Sequence, residues 1–207
     1  MNPPDFIGPP IDDPDTFERL PDDLKAILER ANGFTLLGGG LHLRGACLQP
    51  RWHALSAAWD GPEALHRLFH NIQPDDVPFA QDALGDQFIL RAGRVHHLWG
   101  ETGILEDLDL DLDGFMAQIE ADPEAFLQLG PLELFEEDGD RLQPGQLLHV
   151  FPPLCTEQAE TDGVHLKAVP AQECLRFLAQ LAAQLHGLED GTAIALNWTA
   201  PPEDGDA

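Results

Sequence analysis

The chain of 207 residues contains no tyrosine and a single serine, Ser56. No glycine flanks Ser56, so the sharp strand-to-helix turn that exposes the nucleophile of esterases is missing. The three cysteines, Cys47, Cys155 and Cys174, are far apart, form no CxxC pair and have no recognisable histidine partner. We therefore predict that the protein is not an enzyme, and that its cysteines are small, reduced core residues typical of the cytoplasm.

Basic residues are also scarce. The chain contains 11 Lys and Arg residues and 37 Asp and Glu residues, which gives a formal net charge of -26. The basic residues are scattered and form no patch that could follow a phosphate backbone, so we expect no nucleic-acid partner. No apolar stretch approaches the roughly 18 residues of a membrane helix, and the N-terminus has no secretory signal pattern. We therefore predict a cytoplasmic protein without a membrane partner.

The longest stretch without a basic residue lies between Arg94 and Arg141, where 46 residues include 14 Asp or Glu. Core-forming residues such as Leu108, Phe115 and Ile119 are interspersed with these acids, so the stretch does not have the composition of a disordered tail. A field this negative repels nucleic acid and anionic lipid, and attracts a cationic protein surface or a divalent ion. The stretch predicts an acidic face on a folded body.

Helix and strand signals are mixed along the chain. Residues 1–14, rich in proline and aspartate, predict a loose leader. Predicted helices begin at Pro21, near Trp52, at Pro62, at Asp113 and before Cys174, with a left-handed stop at Asn32-Gly33. Predicted strands cover residues 34–37, 41–44, 88–91, 95–99, 105–112, 132–135, 147–151 and 164–169, and a final strand carries Ile194, Leu196 and Trp198.

The sequence from Asp109 to Gly114, followed by Glu120, matches the spacing of a calcium-binding loop, with carboxylates at alternate positions. In such a loop Leu110 and Leu112 would face water, and the glycine-rich residues 100–103 do not predict an entering helix. The alternative is a strand with its leucines inward and its aspartates outward, after which Asp113 caps a helix. We favour the strand, and a calcium-responsive protein is the alternative.

Two histidine pairs have some of the features of metal sites. His66 and His70 lie four residues apart on a predicted helix, but no third ligand follows at a suitable spacing. His96 and His97 point to opposite faces of a predicted strand. Clustered carboxylates could form a hydrolase pair, although chance adjacency is expected among 37 acids. We predict no metal site and no cofactor.

Several short motifs follow one another along the chain. They are Leu20-Pro21-Asp22-Asp23-Leu24-Lys25, Asn32-Gly33-Phe34, Val77-Pro78-Phe79-Ala80-Gln81-Asp82, Gly85-Asp86-Gln87-Phe88-Ile89-Leu90, the Gly93 turn with Val95, Trp99, and Asp113-Gly114-Phe115. In their order and spacing these motifs resemble those of the SUKH superfamily. The resemblance covers residues 20–126, about half of the chain. Residues 142–145 and 151–153 resemble an extension found in some longer bacterial members.

This resemblance implies an α+β fold, with a central, mostly antiparallel sheet flanked by helices over residues 15–130. It also implies an α/β extension packed on that domain over residues 131–200, before an acidic tail at 201–207. Many bacterial members are immunity proteins that bind and silence a toxin from competing or sister cells. Members related to fungal cell-wall synthesis regulators act as interaction scaffolds. The binding surface varies within the family, so no individual contact residue carries over.

We therefore expect a protein that neutralises a cognate toxin by stoichiometric binding. An acidic surface would steer the encounter with a basic toxin, for which a nuclease is one candidate. The alternative is a scaffold or regulatory module without a toxin partner, and the oligomeric state is left open. The residues predicted to bind the partner are Asp82, Asp86, Trp99, Glu101, Glu106, Asp107, Asp109 and Asp111.

Overall fold

A seven-stranded antiparallel sheet dominates the computed structural model, which describes residues 3–189 and 191–195. Its strands lie side by side in chain order, so β1 and β7 are the two edges. They are β1 (Phe6–Ile7), β2 (Phe34–Leu36), β3 (Leu41–Leu43), β4 (Val77–Asp82), β5 (Gln87–Arg91), β6 (Arg94–Leu98) and β7 (Leu105–Leu110). A separate antiparallel pair is formed by β8 (Gln146–Phe151) and β9 (His165–Pro170).

Helices surround the sheet, and this arrangement confirms the predicted α+β class with an antiparallel sheet. They are α1 (Pro14–Glu18), α2 (Asp22–Arg30), α3 (Leu55–Trp59), α4 (Leu65–Leu68), α5 (Leu112–Ala121), α6 (Pro123–Phe126), α7 (Gly130–Glu137), α8 (Glu157–Asp162) and α9 (Ala171–Leu185). Within the described residues, no helix combines the length and apolar character needed to span a membrane.

The sheet is covered on both faces. Phe88 on β5 packs into a cluster that includes Phe115 of α5, whereas its neighbour Ile89 packs into a second cluster with Leu178 of α9. Successive strand residues point to opposite faces, so these two clusters lie on the two sides of the sheet. The apolar side chains of β5 are therefore buried whichever way they point, as in a sheet with two covered faces.

Two local predictions are confirmed by the backbone. Helix α2 follows Pro21 and ends before Gly33, whose φ of +76° supplies the expected left-handed turn. The hairpin between β5 and β6 turns at Ala92 and Gly93, which both have positive φ. Two positive values in a two-residue loop are typical of the turn type whose twist matches the flanking strands.

Two other predictions differ from the structure. The loose leader is wrong for much of residues 1–14, because Phe6–Ile7 pairs with β2 and Asp13 accepts a hydrogen bond from the backbone N–H of Thr16 at the start of α1. The strand predicted at 132–135 is part of α7. Leu132 and Phe135 are both buried, and a spacing of three residues places them on one helix face.

Some predictions for the C-terminal region concern residues outside those described. They are the acidic tail at 201–207 and the part of the final strand that carries Leu196 and Trp198. Leu147 and Leu148 of β8 do lie within the described residues, and they join the second and the first core cluster respectively. The region after residue 130 therefore contributes to the same core as the sheet.

Candidate functional site

The exposed carboxylates of the predicted partner-binding set follow the β7 edge of the sheet. Glu106, Asp107 and Asp109 lie on β7, Asp111 follows it directly, and all four are exposed. We call these four residues the acidic edge. β7 pairs with β6 on one side, and no strand pairs with its other side in the described part of the chain. The negative charges are thus concentrated along one free edge of the sheet.

A β-bulge shapes the acidic edge. Val95 pairs with Leu110, but the next residue of β6, His96, pairs with Asp107, so β7 carries extra residues at this point. Asp109 lies in the bulge with a φ of +58°, and its backbone N–H donates to Asp107 Oδ1 at 2.8 Å. The bulge interrupts the predicted alternation of leucine and acid. It also places Asp107 and Asp109 close to the same arginine.

Arg94 at the start of β6 forms ion pairs with both of these carboxylates. The pKa of Asp107 is lowered first by the hydrogen bond from the N–H of Asp109 and then by Arg94. All of these groups are well exposed, so solvent screens the ion pairs and their contribution to stability is small. A single arginine cannot neutralise four carboxylates, so the acidic edge keeps a net negative charge.

Three members of the predicted set, one exposed and two half-buried, have local roles. Asp111 caps α5 by accepting a hydrogen bond from the N–H of Gly114 at 2.8 Å, a role predicted for Asp113. Trp99 is half-buried and donates from Nε1 to Glu106 at 3.2 Å. The two oxygens of Glu101 accept from the N–H groups of residues 154 and 155. Glu101 therefore holds the loop after β8 and is not a free docking charge.

An apolar groove begins beside the acidic edge. Ile104 directly precedes β7 and is 58% exposed, while Phe151 and Leu154 are 46% and 40% exposed. All three line the same groove, whose volume is about 1000 Å³. Isolated exposed apolar residues are normal on protein surfaces, but several in one groove beside charged residues are typical of a binding surface.

Asp82 and Asp86 are not on the surface, so their predicted partner-binding role is wrong. Both are buried at the turn between β4 and β5, where Asp82 is 0% exposed. Asp82 Oδ1 accepts from the N–H groups of Leu84 and Asp86, at 2.9 and 3.0 Å, and Asp86 Oδ1 accepts from the N–H of Gly100 at 2.7 Å. Asp86 therefore acts as a local hydrogen-bond acceptor near the turn.

These two aspartates form a cluster with His97 of β6, which is also buried. One potential ligand atom from each of the three residues lies within 4.8 Å of the other two. His97 Nε2 is 3.2 Å from Asp86 Oδ2, but the geometry of a hydrogen bond is not met. Burial, followed by the charge of Asp86, raises the pKa of Asp82 well above its ordinary value. We call these residues the Asp–Asp–His cluster.

We predict that Asp82 makes folding depend on pH in a way that Asp82→Asn abolishes. Above pH 3.8 the unfolded chain releases the Asp82 proton whereas the folded chain retains it, so rising pH favours unfolding until it passes the raised pKa. The expected loss is about 1 kcal/mol per pH unit within that window. Urea unfolding of both proteins with EDTA present, at several pH values above 4, measures the difference between them. Parallel curves would contradict the prediction.

The other candidate centres do not assemble. In the calcium-like sequence Asp109 pairs with Arg94, Asp111 caps α5, and Glu120 lies in the third turn of that helix. The Asp–Asp–His cluster is the one group with metal-ligand spacing found among residues 3–189 and 191–195. The cluster is not apparent in the sequence, where His97 stands beside His96, because its other two members lie on β4 and just before β5.

The cysteines are poorly suited to act as nucleophiles. Cys47 and Cys174 are buried as predicted, but Cys155 is exposed, which corrects its predicted place in the core. Burial raises the pKa of Cys47 to about 11 and that of Cys174 to about 12. Partial burial and then the charge of Glu101 raise the pKa of Cys155 to about 12. The reactive thiolate form is therefore scarce at neutral pH.

Comparisons of the chain with models of known protein families, with curated proteins and with solved structures found no match.

Proposed function

We propose that this protein is a non-catalytic binding protein whose acidic edge docks onto the basic surface of a partner protein. The observation that carries the proposal is the row of four exposed carboxylates along the free edge formed by β7. With a formal net charge of -26, the whole molecule also attracts cationic partners over a distance. Local attraction at the edge would then select the docking orientation.

The apolar groove supplies the second part of the proposed interface. Affinity in protein complexes comes mainly from a few buried apolar or aromatic residues, whereas rim charges increase the association rate. Ile104, Phe151 and Leu154 offer such apolar contacts in a groove that begins at Ile104, the residue directly before β7. The expected partner surface is therefore a basic segment with apolar side chains among its lysines and arginines.

We further propose that the partner is a bacterial toxin and that this chain is a SUKH-like immunity protein with a C-terminal extension. The support is the sequence resemblance over residues 20–126 together with the acidic edge. A toxin that cleaves nucleic acid must hold phosphate groups, so its active site is basic. An acidic edge seated over that site would exclude the substrate without any catalytic residue.

A scaffold or regulatory module is the second candidate, because it would use the same surface without a toxin. Charged residues on an edge strand also prevent edge-to-edge aggregation, and this accounts for part of the acidic edge under either function. Expression of the chain in cells that produce the product of the adjacent gene separates the two candidates. Protection from that product supports immunity, and lack of protection despite binding supports the scaffold.

We predict that the triple variant Glu106→Gln, Asp107→Asn and Asp109→Asn binds the partner at least about 10-fold more weakly at low salt, mostly through slower association. The matched control neutralises three exposed carboxylates of α1, α2 and α7 with Asp15→Asn, Glu29→Gln and Glu137→Gln. Surface plasmon resonance across a salt series, with the adjacent gene product as ligand, measures both rates.

Two results would overturn the docking proposal. One is tight binding that is indifferent to salt, because a screened electrostatic attraction must weaken as salt is added. The other is an equal loss of affinity in the control variant, because overall charge would then suffice without the acidic edge. If the adjacent gene product neither binds nor is neutralised, the immunity function fails.

A further inference from the structure

The carboxylates of the Asp–Asp–His cluster are each held from one side. Backbone N–H groups of the β4–β5 turn bind Asp82 Oδ1, and the N–H of Gly100 binds Asp86 Oδ1. The second oxygen of each carboxyl remains for other interactions. Asp86 Oδ2 lies 3.2 Å from His97 Nε2. These backbone hydrogen bonds therefore fix the orientation of both carboxyl groups. No interaction between the two carboxyl groups explains that orientation.

Two atoms of the cluster lack a hydrogen-bond partner. Asp82 Oδ2 and His97 Nε2 are both buried and unpaired within the described chain. Asp82 is 0% exposed and His97 is 5% exposed, so bulk water does not compensate them. An unpaired buried polar atom is costly, and native proteins usually satisfy such atoms with a protein group, a bound water or an ion. Because two such unpaired atoms occur in a cluster of only three residues, they indicate one partner that both atoms share.

The charge of the cluster indicates that this partner is a cation. Two carboxyl groups that share a buried site repel each other when both are ionised. Among the ion pairs found in residues 3–189 and 191–195, no lysine or arginine pairs with Asp82 or Asp86. A divalent ion would compensate both charges and bond to the two unpaired atoms at once.

We propose that the Asp–Asp–His cluster binds one divalent transition-metal ion, of which Zn²⁺ is the best fit. Protein ligands bond to Zn²⁺ at about 2.0–2.2 Å, so neighbouring ligands in a tetrahedral shell lie roughly 3.4 Å apart. The 3.2 Å separation between His97 Nε2 and Asp86 Oδ2 is close to this value. The other separations are no greater than 4.8 Å, and the ligand atoms would draw together around the ion.

The ligand set argues against calcium and magnesium. Ca²⁺ takes six to eight oxygen ligands and Mg²⁺ keeps several waters in a regular octahedron, whereas imidazole with carboxylates suits zinc, manganese or iron. A cavity of about 240 Å³ borders Asp86 and is lined also by Trp99 and Glu101. It has room for a solvent ligand in the fourth position. The bound ion would join the β4–β5 turn to β6, which leads through Trp99 towards Glu101.

Isothermal titration of the EDTA-treated, dialysed full chain with ZnCl₂ tests the proposal. We expect one equivalent to bind with high affinity, and we expect Asp82→Asn and His97→Gln each to weaken binding at least about 100-fold. Asp82→Asn keeps the shape of the side chain and its hydrogen bonds to the turn. His96→Gln, on the same strand but outside the cluster, is the matched control and should bind like the wild type. MnCl₂ should compete, and CaCl₂ should not.

X-ray absorption at the zinc edge gives a readout that does not depend on the variants folding. Three or four nitrogen or oxygen neighbours in the first shell of the wild type, with the outer-shell scattering of one imidazole ring, support the proposal. The absence of stoichiometric binding of both zinc and manganese to folded wild type overturns it. Unchanged affinity in Asp82→Asn and His97→Gln also overturns it, because the ion would then sit on other histidines.

Discussion

Replacing Arg44 by methionine is expected to lower the free energy of unfolding by about 3 kcal/mol. Arg44 follows β3 and is buried, with four hydrogen bonds to neutral acceptors. Nη1 donates to the carbonyl oxygens of Pro78 and Ala80, at 2.8 and 3.3 Å. Nη2 donates to the side-chain oxygens of Gln81 and Gln87, at 2.6 and 2.7 Å. Methionine fills similar space but removes all four of these donors, although Gln81 Oε1 still accepts from Gln87 Nε2 at 3.2 Å.

Two effects oppose each other in this replacement. Each buried acceptor left unpaired costs about 1–3 kcal/mol. Methionine also removes the cost of burying a charge, which offsets part of the loss. Burial lowers the pKa of Arg44 to about 9, so the side chain is still charged at neutral pH and its donors remain in place. The loss of the donors dominates because one guanidinium serves four acceptors.

Urea unfolding followed by tryptophan fluorescence measures the effect. Arg51→Met is the control, because Arg51 is exposed and its replacement should change stability by less than about 0.5 kcal/mol. If Arg44→Met is as stable as this control, the four acceptors can form hydrogen bonds with other donors when the arginine is absent. The structural role assigned to Arg44 would then be wrong.

Gly33→Ala is expected to destabilise the fold by about 3 kcal/mol, whereas Gly93→Ala should cost only about 1 kcal/mol. Both glycines have positive φ, +76° and +79°, so an alanine is strained at either position. At Gly33 an added Cβ would also lie 2.6 Å from the carbonyl oxygen of Leu43 and 2.7 Å from the carbonyl carbon of Arg44. At Gly93 nothing lies within 4 Å.

Both variants introduce backbone strain, but only Gly33→Ala also introduces steric overlap. The difference between their losses of stability therefore measures the cost of the overlap. Thermal and urea unfolding of both variants under identical conditions provide the measurement. Equal losses would show that the α2–β2 connection can move away from β3 without cost. That outcome would contradict the tight packing of Gly33 against the end of β3.

The local parts of the fold could be predicted from the sequence because their causes are local. Helix α2 has leucines at helical spacing and a glycine stop, and the β5–β6 hairpin has its turn residues between two apolar runs. The secondary structure of residues 132–135 was ambiguous in the sequence. A run of four residues that mixes apolar and acidic side chains suits either a strand or a turn of helix. Packing of Leu132 and Phe135 into the core selected the helix.

The acidic edge was also visible in the sequence, since its members are neighbours along one strand. What the tertiary structure added is how each carboxylate is engaged. Arg94 pairs with two of them across the bulge. Glu101, which precedes the acidic edge, accepts hydrogen bonds from a loop more than 50 residues further along the chain. Such contacts depend on strand register and chain crossings, which composition and spacing do not encode.

The sequence by itself determined the charge, the mixture of helices and strands and the position of the acidic strand, because each follows from residue types and short-range periodicity. Only the tertiary structure decided that Asp82 and Asp86 are internal and meet His97. Three strands must pair in register before those side chains come within 4.8 Å. In water these carboxylates would need no compensating charge. Once they are buried they do need one, and no lysine or arginine of the described residues pairs with them.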